Sequence, residues 1–244
     1  MGSGPSATGK GRIMARLKTG LLVVFCICLL LKAQDDPKGK GGPEQWEKTI
    51  RAFEEWDRKN SFPSDAVLFV GSSSIRLWPT RECFPELPVI NRGFGGSQIS
   101  DVNYYAGRIV LPYKSRVIVF YAGDNDIAAG KSARQVFEDY RAFTRLVHAK
   151  LPQTRIIFVC IKPSRSRWTL WPVMSEANAM VKELCGKDSR LYYFDAASPL
   201  LDSEGLPKPE LFLPDKLHLN GEGYKVWSTL LRPVIAEARK PDKK

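Results

Sequence analysis

The sequence predicts one α/β domain with a parallel sheet and helices on both faces, and three observations lead there. Apolar runs such as Ala66–Val70, Val117–Ala122, Ile156–Ile161 and Leu191–Phe194 lack polar alternation, as strands buried on both faces do. The segments between them carry apolar residues at intervals of three and four, the period of a helix. The runs stop at turn-forming or polar residues, and strands separated by helical segments imply βαβ units. A chain of 244 residues suffices for one such domain and its core, and no internal repeat is visible.

The first 33 residues stand apart. Lys10, Arg12, Arg16 and Lys18 precede an apolar run of 11 residues, Leu21–Leu31, after which the chain turns polar at Lys32. A basic start, a short apolar middle and a small residue at Ala33 read as a secretory signal peptide, or an uncleaved anchor, over residues 1–33. Met14 opens a compact signal of its own and is an alternative start. Residues 34–43, rich in Gly and Pro, read as a flexible leader, and 44–240 as the domain. The expected location is therefore export: periplasmic, secreted or surface-anchored.

Within the domain, Trp46, Ile50, Phe53 and Trp56 form a stripe on a helix ending near Asn60, expected to pack on the sheet. The first strand, Ala66–Val70, runs into Gly71 and three serines. Pro88–Gly93 reads as a short second strand before the glycine loop Gly93–Gln98, and Ile99–Tyr113 as a helix. Val117–Ala122 is the third strand, ending in Gly123-Asp124-Asn125-Asp126, with a helix over Ser132–Lys150. Ile156–Ile161 is the fourth strand, Met174–Cys185 a helix, Leu191–Phe194 the fifth strand and Gly221–Ala238 the last helix.

Charge narrows function little. Residues 1–33 hold five of the 37 bases and no acid, so the remainder carries 32 bases against 26 acids, a mild excess of +6 that gives no argument for nucleic acid. Cys83, Cys160 and Cys185 are the cysteines beyond residue 33, an odd number that permits one disulfide at most. There is no His-Glu-x-x-His and no cysteine pair at zinc spacing, so neither metal nor cofactor is expected.

Histidine narrows it more. His148 falls inside an amphipathic helix beside inward Val147, whereas His218 lies in a loop three residues after Asp215, where the carboxylate can orient its imidazole. A hydroxyl nucleophile needs such a base, and a tetrahedral intermediate needs hydrogen-bond donors aimed at its oxygen. Ser73, at the mouth of a helix after the first strand, Gly96 with its backbone N–H, and Asn125 with its amide each fall just past the end of a successive strand. Taken singly, each has a plainer explanation as a cap or a turn.

Together the four stretches resemble the SGNH (GDSL-like) hydrolase superfamily. Phe69–Ile75 is similar to its first block, with Ser72 where aspartate is usual and Ser73 as the nucleophile. Gly95-Gly96-Ser97 resembles the second, Gly123–Asp126 the third and Asp215–His218 the fourth. The resemblance implies a three-layer, flavodoxin-like sandwich around a five-stranded parallel sheet, catalysis by Ser73, Asp215 and His218, and an oxyanion hole of Ser73, Gly96 and Asn125. The expected activity is hydrolysis of carboxylic esters, short-acyl or acetyl esters of carbohydrates first, through an acyl-enzyme. Alternatives are a lysophospholipase or other lipid esterase, or a non-catalytic glycan- or lipid-binding module on the same fold. The expected partner is a small-molecule, glycan or lipid ester, with membrane contact only through an uncleaved N-terminal segment. In the loop Lys162–Pro172, Trp168 and Trp171 are candidates to stack on substrate, and Arg165 or Arg167 to meet an anionic group.

Overall fold

A computed structural model describes Met1 and residues 41–63 and 65–241. The signal or anchor reading and most of the leader lie outside the described residues. In chain order the elements are α1 (Glu47–Lys59), β1 (Val67–Gly71), α2 (Ser73–Arg76), α3 (Thr80–Cys83), β2 (Val89–Gly93), α4 (Ile99–Ile109), β3 (Val117–Tyr121), α5 (Asp124–Ala128), α6 (Ala133–Lys150), β4 (Arg155–Val159), α7 (Trp171–Cys185), β5 (Leu191–Phe194) and α8 (Gly221–Arg239).

The five strands form one parallel sheet in the order β2-β1-β3-β4-β5. Helices α1, α4, α6 and α7 pack side by side, while α8 lies against α3 and strands β3 to β5. Every residue of β1 and β3 is buried, which explains their unbroken apolar runs. After β1 the chain moves outward to β2, then returns to the other side of β1 for β3. The carboxyl ends of β1 and β3 thus flank the point where the winding reverses, the usual crevice for ligands in open α/β sheets.

The expected strands are present, with shifted ends. Gly71 pairs with Gly93, so β1 runs one residue past Val70. β4 stops at Val159 because Asn178 diverts the next backbone: its Oδ1 accepts the Ile161 N–H at 2.8 Å and its Nδ2 donates to the Ile161 carbonyl at 2.9 Å. The helix expected over Ile99–Tyr113 breaks near Pro112, leaving a separate 3₁₀ turn at Leu111–Tyr113. The Lys162–Pro172 stretch is not a plain loop: a 3₁₀ segment, Arg165–Leu170, leads into α7, whose first turn holds Pro172. Gly123–Asp126, for which a turn is the plainer alternative, opens the buried helix α5. Capping followed sequence more simply: Ser132 and Gln135 make a reciprocal capping box on α6.

Two features of the packing hold the future site. Trp78 donates its indole N–H to Ser228 Oγ at 2.9 Å and packs on Phe69, Phe84, Tyr224 and Trp227, joining β1 and its following turn to α8. On the other side, Arg92 pairs with Asp57 of α1 and lies over the rings of Phe53, Trp56 and Tyr113. Cys83, Cys160 and Cys185 are all free thiols. Among the described residues, no helix is long and apolar enough to cross a membrane.

Candidate active site

Gly71 sets the turn on which the site rests. Its φ is +141°, and a Cβ there would fall 1.8 Å from the Tyr121 carbonyl oxygen, so no other residue fits without moving β3. That carbonyl accepts the Ser72 N–H at 2.9 Å. Ser72 is the extended N-cap of α2 and Ser73 its first residue. Ser72 and Ser74 are 0% and 1% exposed, whereas Ser73 lines an open cavity. Tyr224 of α8 donates its hydroxyl to the Ser74 carbonyl at 2.9 Å, holding the turn from behind.

The imidazole of His218 arrives from the segment before α8. Lys216 has φ +57°, and the Leu213 N–H donates to the His218 carbonyl while Lys216 N–H donates to that of Leu213, both at 2.8 Å, closing a tight loop. Asp215 Oδ1 accepts the backbone N–H groups of Leu217 and His218 at 2.9 Å each. Its Oδ2 lies 2.6 Å from His218 Nδ1, and His218 Nε2 lies 3.0 Å from Ser73 Oγ. Burial pushes the Asp215 carboxyl up, but hydrogen bonds from the imidazole and the two backbone amides outweigh it and bring it down to about 2. Asp215 is thus an anion at any working pH, and accepts a proton-bearing Nδ1, which leaves Nε2 as the acceptor facing the serine.

Two further groups border the Ser73 hydroxyl. Gly96 has φ +79° and lines the same cavity. Asn125, in the first turn of α5, donates one amide hydrogen to the Ser97 carbonyl at 3.1 Å, while its Oδ1 accepts from Arg167 Nη2 at 3.0 Å. Its Nδ2 has a second hydrogen. α5 can start there because Gly123 has φ +126°, and a Cβ on it would fall 2.6 Å from Ile161 Cδ1.

The structure therefore brings Ser73, Asp215, His218, Gly96 and Asn125 to one place. Trp168 and Trp171 are elsewhere: they stack on each other at 6.3 Å between centroids, and neither lines the Ser73 cavity. Arg165 donates to the Pro207 carbonyl at 2.9 Å. Arg167 does line the cavity, but its guanidinium is turned on Asn125 and Asp124. His148 bonds to the Thr154 carbonyl at 2.9 Å, away from the cavity, as a half-buried helix residue. Trp46, which ends a 3₁₀ turn just before α1, and Thr49 line the cavity unforeseen, since the expected helical stripe accounted for the aromatic as packing; Arg76, one helical turn after Ser73, is also on the wall. Among the described residues, no group of three or more His, Cys, Asp or Glu side chains is placed to hold a metal ion.

A hydroxyl, an imidazole and a carboxylate in hydrogen-bonded series, at the winding reversal of a parallel sheet, have the geometry of a serine-hydrolase site. Residues 76–226 match the GDSL-like Lipase/Acylhydrolase family, and the chain belongs to it. It is an ester-hydrolysing enzyme. The chain is 25% identical over 210 residues to platelet-activating factor acetylhydrolase IB subunit alpha1 of Homo sapiens, covering 80% of this chain and 87% of that one. Among solved structures, a GDSL-like lipase from Bacteroides thetaiotaomicron superposes with a TM-score of 0.64 at 18% identity, covering 81% of this chain and 98% of that one. An acetyl-xylooligosaccharide esterase from Geobacillus, solved as a mutant, gives 0.58 at 14% identity over 74% and 96%. These two likenesses concern the fold alone.

Proposed function

We propose that the protein is an exported serine esterase that cleaves short-acyl esters, carbohydrate acetyl esters first, through an acyl-enzyme on Ser73. The observation that carries this reading is the series Ser73 Oγ, His218 and Asp215, at 3.0 and 2.6 Å. His218 Nε2 takes the hydroxyl proton as Ser73 Oγ attacks the ester carbonyl, and Asp215 steadies the imidazolium. The tetrahedral oxyanion is met by the Ser73 and Gly96 N–H groups and the Asn125 amide. The intermediate collapses as His218 returns the proton to the leaving alkoxide. Water, deprotonated by the same imidazole, then attacks the acyl-serine and releases the acid.

The cavity wall supports a small acyl group. Among the described residues, Trp46 and Leu217 are its only large apolar side chains, beside Thr49, Arg76, Gly95 and Gly96. A long acyl chain needs an extended apolar surface, whereas an acetyl group on a polar alcohol does not. The names of two similar proteins, an acetylhydrolase and an acetyl-xylooligosaccharide esterase, agree with that choice. Export rests on the basic and apolar pattern of residues 1–33.

The test is turnover of p-nitrophenyl acetate and of acetylated oligosaccharides, with p-nitrophenyl palmitate as the long-chain control, together with fluorophosphonate labelling. The expected result is turnover of the acetyl substrates and one labelled serine. Preference for palmitate would overturn the short-acyl assignment, and labelling away from Ser73 the nucleophile. Cell fractionation with N-terminal sequencing tests export.

A further inference from the structure

Behind Asn125 lies a charged cluster that the reaction as described does not use. Lys162 and Asp124 are 1% and 2% exposed, and Lys162 Nζ lies 3.5 Å from Asp124 Oδ2 and 3.3 Å from the Tyr121 hydroxyl. Arg167 Nη1 lies 3.2 Å from the same Asp124 oxygen. Burial pushes the Asp124 carboxyl up, but Lys162 and Arg167 together outweigh it and hold it below its ordinary value. The contact between Arg167 and Asp124 is an ion pair without hydrogen-bond alignment, so the directional bond of the guanidinium is the one to Asn125 Oδ1, at 3.0 Å. The 3₁₀ segment kinks at this residue, where Arg167 has φ −123° and ψ 24°.

A side-chain amide is nearly symmetric in shape but not in charge. Turned over, Asn125 would present its oxygen to a developing oxyanion and oppose the reaction it is meant to assist. Two contacts prevent this. The Ser97 carbonyl takes one amide hydrogen, and Arg167 demands an oxygen on the opposite side. A flip would set an NH₂ group against a guanidinium.

We propose that Arg167 is a positioning residue that fixes the amide of Asn125 in its oxyanion-donating orientation, held there by Asp124, which buried Lys162 anchors in turn. The arrangement pre-orders a donor before substrate arrives, and a donor already aimed requires no reorganisation in the transition state. The inference rests on the serine-esterase reading above.

The experiment is steady-state kinetics on p-nitrophenyl acetate with fluorophosphonate labelling, using Arg167→Met, Arg167→Lys, Asn125→Ala and the double variant Asn125→Ala/Arg167→Met. Asn125→Ala should lower kcat by about 10²- to 10³-fold. Arg167→Met should lower kcat by about 10- to 100-fold with KM within about twofold, since a misaimed donor weakens the transition state and not the ground state. Arg167→Lys should recover at least about threefold of that loss, and in the Asn125→Ala background Arg167→Met should cost less than about threefold, because the two act as one unit. Full additivity of the two losses, or a raised KM with unchanged kcat, would overturn the proposal; the latter would make Arg167 a substrate-binding residue. Equal losses in Met and Lys variants, each with a lowered thermal midpoint, would also overturn it. A wild-type protein that neither turns over ester nor labels would refute the esterase reading and this inference with it, an outcome distinct from all the others.

Discussion

Three adjacent serines differ in what they can reach. Ser72 and Ser74 are enclosed by the turn, so Ser73→Ala should abolish turnover and labelling, whereas Ser72→Ala should keep most of both; mass spectrometry of the labelled peptide checks this. The carboxylate beside His218 shapes the pH dependence. A group whose folded value is depressed acts above that value and is lost only as pH falls through it, here about 2, so Asp215 stays charged across the measurable range. Protonation of this carboxylate should therefore add no step to the acid limb of kcat/KM; a limb of slope two would mean that the carboxylate titrates there. Asp215→Asn should leave the protein folded and reduce kcat by about 10²- to 10⁴-fold, because an amide permits the wrong tautomer. Much of this was legible beforehand. Ser73, Asn125 and His218 are polar residues placed just after apolar runs or in a loop, and that placement is a signal a sequence displays. Arg76 gave none, and Arg167 stood out only as a partner for an anionic group, not for Asn125 and Asp124, since an arginine's role depends on which acceptors surround it.

At the scale of elements, what the sequence showed was the alternation of strands and helices, and what it concealed were the ends. Gly71 looks like the stop after a strand, yet it continues the ladder with Gly93 while its φ of +141° makes the turn. Gly123–Asp126 looks like a solvated turn because three of its residues are polar, but those side chains are buried against Lys162, Lys131 and Ser97. Trp46 belonged to a helical stripe, and nothing in periodicity separates a residue that packs on a sheet from one that borders a cavity. α8 shows most directly how one element positions another. Its Tyr224 hydroxyl supports the Ser74 carbonyl, so Tyr224→Phe should leave a buried acceptor unpaired and cost about 1–2 kcal/mol in stability. Turnover should fall by roughly two- to tenfold as the turn bearing Ser73 loosens. Thermal unfolding and kcat on the same sample test both halves, and an unchanged midpoint would show that the turn holds without α8.

Across the whole molecule, α1 is fastened by two sets of ion pairs that differ in worth. Arg92 is 6% exposed and its partner Asp57 is shielded, so Arg92→Ala should leave a carboxylate without its cation and cost about 3 kcal/mol or more. Arg108 meets Glu47 and Glu54 at 2.7 Å, but these groups are only half-buried, so water screens them, and Arg108→Ala should move the unfolding midpoint less than Arg92→Ala does. Urea titrations at low and high salt distinguish the two: the Arg92 loss should persist, and the Arg108 shift should fade. The proposed catalytic series also spans the chain unevenly, since Ser73 lies 145 residues before His218. A polypeptide grows from its N-terminus, and its early parts begin to fold first. The hydroxyl is therefore made long before its base, and the turn that bears it lacks the support of Tyr224 until α8 has been synthesised and has docked. Until His218 is in place the Ser73 hydroxyl has no imidazole beside it, so the activity proposed above would wait on the last stretch of chain, a delay written in the order of the residues.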